Sequence, residues 1–127
     1  MNELRRSKLA SLIVHLLGKL ISMREIKDHR VGSDISVTSV KVSSDGAYID
    51  VYVSSFQSAE QSIKGAVGLN SAAGFIRRKL APELHLRKIP TFRFHPDHSL
   101  RLQMAMEERL HGLGSISEPP EEWQEDR

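Results

Sequence analysis

The chain has 127 residues, 39% of them hydrophobic and 27% charged, which suits one domain with a modest core and excludes a large multi-domain enzyme. It contains no cysteine, so a disulfide framework, cysteine-ligated zinc and thiol catalysis are excluded together. The formal net charge of +2 hides two opposed regions: residues 1–116 hold 17 Lys and Arg against 11 Asp and Glu, while residues 117–127 hold five acids against Arg127.

No apolar run approaches about 18 residues, so no membrane span is expected. The opening MNELRRSKLA lacks the pattern of a secretory signal. A soluble, cytoplasmic, single-domain protein is the expectation. The positive excess concentrates further in residues 61–101, where Lys64, Arg77, Arg78, Lys79, Arg87, Lys88, Arg93 and Arg101 face only Glu83 and Asp97. Such a surface suits a polyanion, because each neutralised phosphate releases condensed counterions. An ordinary solvated face is the alternative.

Residues 3–26 read as a helix, with Leu9, Leu12, Ile13, Leu16, Leu17, Leu20 and Ile21 recurring at the spacing of one buried stripe. Residues 28–33 (DHRVGS) read as a polar turn. A hairpin follows. Ile35–Val42 is rich in β-branched residues, and Asp45-Gly46 signals a two-residue turn. The second strand alternates Ala47, Ile49, Val51 and Val53 against Tyr48, Asp50 and Tyr52. In the first strand the apolar parity switches between Val37 and Val40, which predicts a bulge near Thr38 or Ser39.

Residues 58–84 return to helical spacing, with Ile63, Val67, Leu69, Phe75, Ile76, Leu80 and Leu84 as expected core positions. Three glycines (Gly65, Gly68, Gly74) would each cost a continuous helix about 1 kcal/mol, so two helices meeting at a bend are expected. Pro82 should end or restart the second, because it disfavours the helical conformation at Ala81. Residues 87–95 alternate again, with Pro90 at a strand start or edge. Asp97 or Ser99 is placed to cap a last helix running to about Leu110, and the acidic, Pro119-Pro120-containing end reads as a disordered tail. The order α-β-β-α-α-β-α defines an α+β domain over residues 1–113, followed by the tail 114–127.

Several constellations invite a chemical reading. Gly65-Ala66-Val67-Gly68 is a literal GxxG, which in KH domains lets backbone approach phosphates. Four residues with two glycines recur by chance, and glycines that let a helix pack closely are the ordinary alternative. Ser71-Ala72-Ala73-Gly74 is a bend of small residues, and Arg77, Arg78 and Lys79 follow it within the first turns of the next helix. Cations there oppose the helix dipole unless an anion is near, which favours a phosphate partner. Three cations fanned around a solvated helix remain the alternative. His95-Pro96-Asp97-His98 lacks the helical spacing of a metal site, and no carboxylate pair or nucleophile elbow points to catalysis. Tyr48 and Tyr52 share a strand face, where they could stack on bases or simply cover apolar surface.

The phrases LNSAAGFIRRKLA (Leu69–Ala81) and LRKIPTFRFHPDHS (Leu86–Ser99), with MREIKDHRVG and TSVKVSSDGAYIDVYVS upstream, resemble the bacterial ribosome-binding factor A family over residues 3–113. The resemblance implies a type II KH-like fold in which a helix–kink–helix, with the kink at Ala72, Ala73 and Gly74, replaces the usual GxxG loop. Gly65–Gly68 then becomes a decoy inside the preceding helix. It also implies binding to the small (30S) ribosomal subunit and its 16S rRNA late in assembly. Help in maturing the 5′ region of that RNA, support of growth in the cold and no catalytic activity follow too. His29, Thr91, Phe92, Pro82 and Pro96 depart from the family's usual residues, which bears on loop geometry.

The expected RNA-binding set is Ala72, Ala73 and Gly74 at the kink, Arg77, Arg78 and Lys79 after it, Arg87, Lys88 and Arg93 beyond, Lys64 at the margin, and Arg5, Arg6 and Lys8 on the first helix. No cofactor, metal or membrane contact is expected, and the protein should be a monomer. A generic single-stranded nucleic-acid module would carry the same patch. A protein-interaction adaptor would instead use Tyr48, Tyr52 and the acidic tail.

Overall fold

The structure, a computed structural model, describes residues 1–98. The expected last helix, the boundary at 113 and the acidic tail 114–127 lie outside the described residues. Six elements follow in the order α1 (Glu3–Ser22), β1 (Ile35–Val42), β2 (Tyr48–Ser55), α2 (Ala59–Ser71), α3 (Ala73–Leu84) and β3 (Thr91–Pro96). This is a mixed α+β architecture, and through β3 the order is the one read from the sequence.

α1 starts where the Asn2 side chain accepts from the Arg5 N–H at 2.8 Å. Leu9, Ile13, Leu17, Leu20 and Ile21 are buried, while Leu12 at the stripe's margin stays exposed. The helix ends at Ser22 and not at 26, because Arg24 turns the chain in the left-handed region (φ 57°). That reversal returns Ile26 and Val31 to the core, so the segment read as a polar turn contributes a buried residue.

The hairpin connection is a five-residue loop rather than a two-residue turn. The Asp45 carboxylate accepts from the Ser43 hydroxyl (2.7 Å) and the Ala47 N–H (3.0 Å), Gly46 takes φ 74°, and Ala47 lies exposed in the loop. An Asx-type arrangement has won over the tighter turn. The bulge falls where the parity switch placed it: Val37 pairs with Val53 and Ser39 with Tyr52, leaving Thr38 as the extra residue.

β2 is central in the order β1-β2-β3, antiparallel to β1 and parallel to β3. Its Ile49, Val51 and Val53 are fully buried, with Phe92 and Phe94 of β3 beside them. β3 begins at Thr91 rather than 87, directly after buried Pro90, whose missing N–H suits the position before a strand. Asn70 clamps the edge of β3, accepting from the Phe94 N–H (2.9 Å) and donating to its carbonyl (2.8 Å).

α2 meets the sheet through Ser62, Gly65, Ala66, Gly68 and Leu69. Ile63, Val67 and Phe75, expected in the core, are exposed instead. Close approach decides this. A Cβ at Gly65 would overlap the Ile35 side chain, and one at Gly68 would come within 2.8 Å of Val31. The glycine pair packs a helix onto β1 and the segment before it. Two helices do meet at the expected bend: Ala72 closes α2, its N–H donating to the Gly68 and Leu69 carbonyls (both 3.1 Å), and its carbonyl accepts from Ile76. Pro82 neither ends nor restarts α3 but lies inside its final turn. Ile76, Leu80 and Leu84 bury one stripe across it, and the helix ends two residues later at Leu84, where His85 turns the chain (φ 51°).

Candidate functional site

Most of the sequence-predicted residues divide among three places, with Arg6, Lys8 and Lys64 outside them. At the kink, Ala72 and Ala73 are half-buried and Gly74 is exposed. Beside them Arg30 donates twice to Asp28 (2.9 and 2.7 Å) and once to the Ser71 hydroxyl (3.1 Å), tying the segment after α1 to the end of α2. Arg30's side-chain and backbone N–H groups hold the Asp28 carboxyl well below the usual carboxylate range. Lys79 pairs with Glu25 at 3.2 Å. Arg78 makes no ion pair among the described residues. Its guanidinium passes near Gly74, where an added Cβ would sit 3.5 Å away.

Arg77 points elsewhere. It donates to the carbonyls of Pro90 (3.2 Å) and Ile89 (2.8 Å), bracing the loop that leads into β3. It thereby joins Arg5, Arg87 and Lys88 in a cleft of about 620 Å³ between the start of α1, the β1–β2 loop and the α3–β3 loop. Tyr48, Leu86, Ile89 and Pro90 supply aromatic and apolar wall. Asp45 is the one carboxylate among the described lining residues, and the Ala47 N–H and Ser43 hydroxyl depress its pKa. Four cationic side chains therefore share the cleft with one acidic one among the described residues. Lys8 lines a shallower depression with Arg5, Leu84 and His85. Arg6 turns its guanidinium toward the Val42 carbonyl (3.4 Å), and Lys64 is paired along α2 with Glu60 (3.5 Å).

Arg93 occupies the third place, the sheet face opposite the helices. Both its donors reach Asp50 (2.9 Å each), and the His95 Nε2 lies 2.8 Å from the same carboxylate. The Arg93 bonds, ahead of those to His95, lower the Asp50 pKa, and Asp50 in turn raises that of Arg93. The Arg93 guanidinium carbon stands 4.3 Å above the Tyr48 ring, His95 stacks on Tyr52 at 5.1 Å, and Lys41 lies 5.4 Å over the same Tyr52 ring. The sequence places Asp50 on one strand face with the tyrosines and offers His95 only as a metal ligand; the contacts of Lys41, Asp50 and His95 on this face are not legible in it. The alternation along β2 and β3 was visible; the parallel register that brings Asp50 beside Arg93 was not.

Among the described residues, no group of three His, Asp or Glu is gathered as a metal site. No helix there is long and apolar enough to cross a membrane.

A sequence profile of the family described as Ribosome-binding factor A matches residues 5–110. Relatives bearing that name include one from Treponema denticola, 39% identical over 122 residues (96% of this chain and 92% of the relative). Another, from Dictyoglomus thermophilum, is 35% identical over 118 residues (93% and 98%). Among solved structures, ribosome-binding factor A from Thermus thermophilus superposes with a TM-score of 0.63 at 24% identity, covering 74% of this chain and 97% of that one. A Thermotoga maritima protein solved by NMR superposes at 0.56 with 30% identity, covering 68% and 84%.

Proposed function

Because the chain belongs to the ribosome-binding factor A family, we propose that it is a non-enzymatic assembly factor, monomeric and cytoplasmic. It binds the small (30S) ribosomal subunit and its 16S rRNA during late maturation, aiding processing of the 5′ region and growth in the cold. In this reading the domain is type II KH-like. Ala72, Ala73 and Gly74 set the angle between α2 and α3, and Arg78, Arg87, Lys88 and Arg5 meet phosphates.

What supports this role beyond family membership is one observation. Arg5, Arg78, Arg87 and Lys88 make no ion pair among the described residues, whereas Lys79, Lys64 and Arg93 each have a carboxylate partner. Unpaired surface cations are the groups that gain most from replacing condensed counterions on RNA. Phosphate contacts then position the protein, and RNA shape supplies specificity.

The test is co-sedimentation of the full chain with mature small and large subunits at two salt concentrations, beside Arg78→Glu and Arg87→Glu/Lys88→Glu. Arg77 is left intact, since replacing it would strip the Ile89 and Pro90 carbonyls of their donor. Salt-sensitive binding to the small subunit alone, weakened in both variants, is expected. Equal binding to both subunits would reduce the protein to a generic nucleic-acid module. No binding by the folded protein would turn attention to an adaptor role.

A further inference from the structure

The cleft that gathers Arg5, Arg77, Arg87 and Lys88 lies past the C-terminal end of α3, whereas the kink stands at that helix's N-terminus. Its chemistry is not that of a bare cationic patch. Leu86, Ile89 and Pro90 give it apolar wall, Tyr48 gives it an aromatic ring, and its volume falls within the range of about 300–1,000 Å³ common for clefts that take small ligands.

Tyr48 is 43% exposed and held in place from several directions. Its N–H donates to the Ser43 hydroxyl (3.0 Å) and its carbonyl accepts from the Ser43 N–H (2.9 Å), which fixes its backbone at the base of the loop. One face of its ring is covered by Arg93, and Arg93 is itself clamped by two bonds to Asp50. A ring so braced has little conformational freedom left to lose when a second planar group stacks on its other face. Cations for the phosphates and a pre-set ring, flanked by apolar wall, for the base are what an unpaired nucleotide calls for.

We propose that this cleft seats a single unpaired nucleotide of an RNA strand. Its base stacks on Tyr48, and its flanking phosphates lie over Arg87, Lys88 and Arg5. Arg77 acts there as a positioning residue, holding the Ile89–Pro90 wall through its two carbonyl bonds. Duplex RNA keeps its bases stacked inside the helix and cannot supply this group. An acidic peptide would satisfy the cations but leave the ring unused. The inference rests on the RNA-binding reading above and adds to it a preference for unpaired over paired RNA, together with a residue that reads it.

The experiment uses the full chain and a single-stranded RNA hexamer carrying 5-iodouridine, beside the same strand closed into a hairpin stem, free uridine monophosphate and a glutamate hexapeptide. Affinities are read by fluorescence anisotropy with a labelled strand, and photo-crosslinks are mapped by mass spectrometry. The hexamer is expected to bind more tightly than the stem and to crosslink at Tyr48. Tyr48→Ala should weaken hexamer binding about 10- to 100-fold, the worth of one base–aromatic stack, without changing its salt dependence. Tyr48→Phe should restore it, because the ring and not the hydroxyl is used. Urea midpoints confirm that both variants fold, and the wild-type crosslink needs no variant.

Equal affinity for strand and stem, with no crosslink at Tyr48, overturns the proposal while leaving small-subunit binding intact. Hexapeptide binding as tight as that of the hexamer overturns it in favour of an acidic protein partner. If neither RNA nor small subunit binds, the RNA-binding reading falls with it.

Discussion

The two ends of α3 look alike in sequence and differ in what their charges are free to do. At the kink, Lys79 is answered by Glu25 and the neighbouring Arg30 by Asp28, and Arg78 is the cation of that run left without an ion pair among the described residues. At the cleft, Asp45 is the one carboxylate that lines the walls with Arg5, Arg87 and Lys88 among the described residues, and it is already held by its own loop. Arg77 belongs by sequence to the first end and by geometry to the second. A run of basic residues counts charge; the fold decides how much of it a partner can use. A cation already beside a carboxylate gives up that pairing when it meets a phosphate, so its net gain is smaller.

The comparison breaks or sharpens first on charge reversal. Arg87→Glu/Lys88→Glu should lower small-subunit affinity about 100-fold at low salt and flatten the log–log salt slope by about 2. Lys79→Met should change affinity no more than about threefold. Equal losses in the two, measured by filter binding across a salt series, would erase the distinction between the ends.

Packing gives the next largest effect. Gly65→Ala drives a methyl into Ile35 and should cost about 1–3 kcal/mol in urea unfolding. Adding Ile35→Val, which removes the methyl nearest that point, should recover part of the loss. Simple additivity of the two changes would mean the close approach is not what makes Gly65 necessary. Asn70→Ala leaves the Phe94 N–H and carbonyl without their partner and should cost about 1–2 kcal/mol, read from the same unfolding curves.

Acid tests the carboxylates that an arginine holds, Asp50 on the sheet face and Asp28 near the kink. The folded Asp50 carboxyl is depressed by Arg93, so its contribution is present above the unfolded pKa near 4 and is lost as pH falls through the lower folded value. Thermal unfolding followed from pH 5 downward should show this loss, and Asp50→Asn should flatten the profile. Asp28→Asn should flatten it near the kink for the same reason, with Arg30 as the cause. The smallest effect is a gain. Gly18→Ala, with nothing within 4 Å of an added Cβ, should raise stability by about 0.5–1 kcal/mol.

Much of this molecule was legible from short-range causes. The α1 stripe, the alternation of Ile49, Val51 and Val53, the bulge at Thr38 and the bend at Ala72 all follow from residues within a few positions of one another. The misreadings share a different origin. Ile63 and Val67 carry the more apolar stripe of α2, yet the face with Gly65 and Gly68 won, because only glycine lets the helix come that close to Ile35 and Val31. Helical spacing records which residues share a face and not how near the neighbouring layer stands.

By itself the sequence determined the elements through β3, their order and a basic surface, since backbone propensity and periodicity are local properties. Tertiary structure alone decided which cations remain available. Arg77 was drawn to the Ile89 and Pro90 carbonyls, Lys79 to Glu25, and Arg93 to Asp50 across a parallel pairing. Each of those partners is at least 12 residues away along the chain, and a charge is answered by what lies beside it in space.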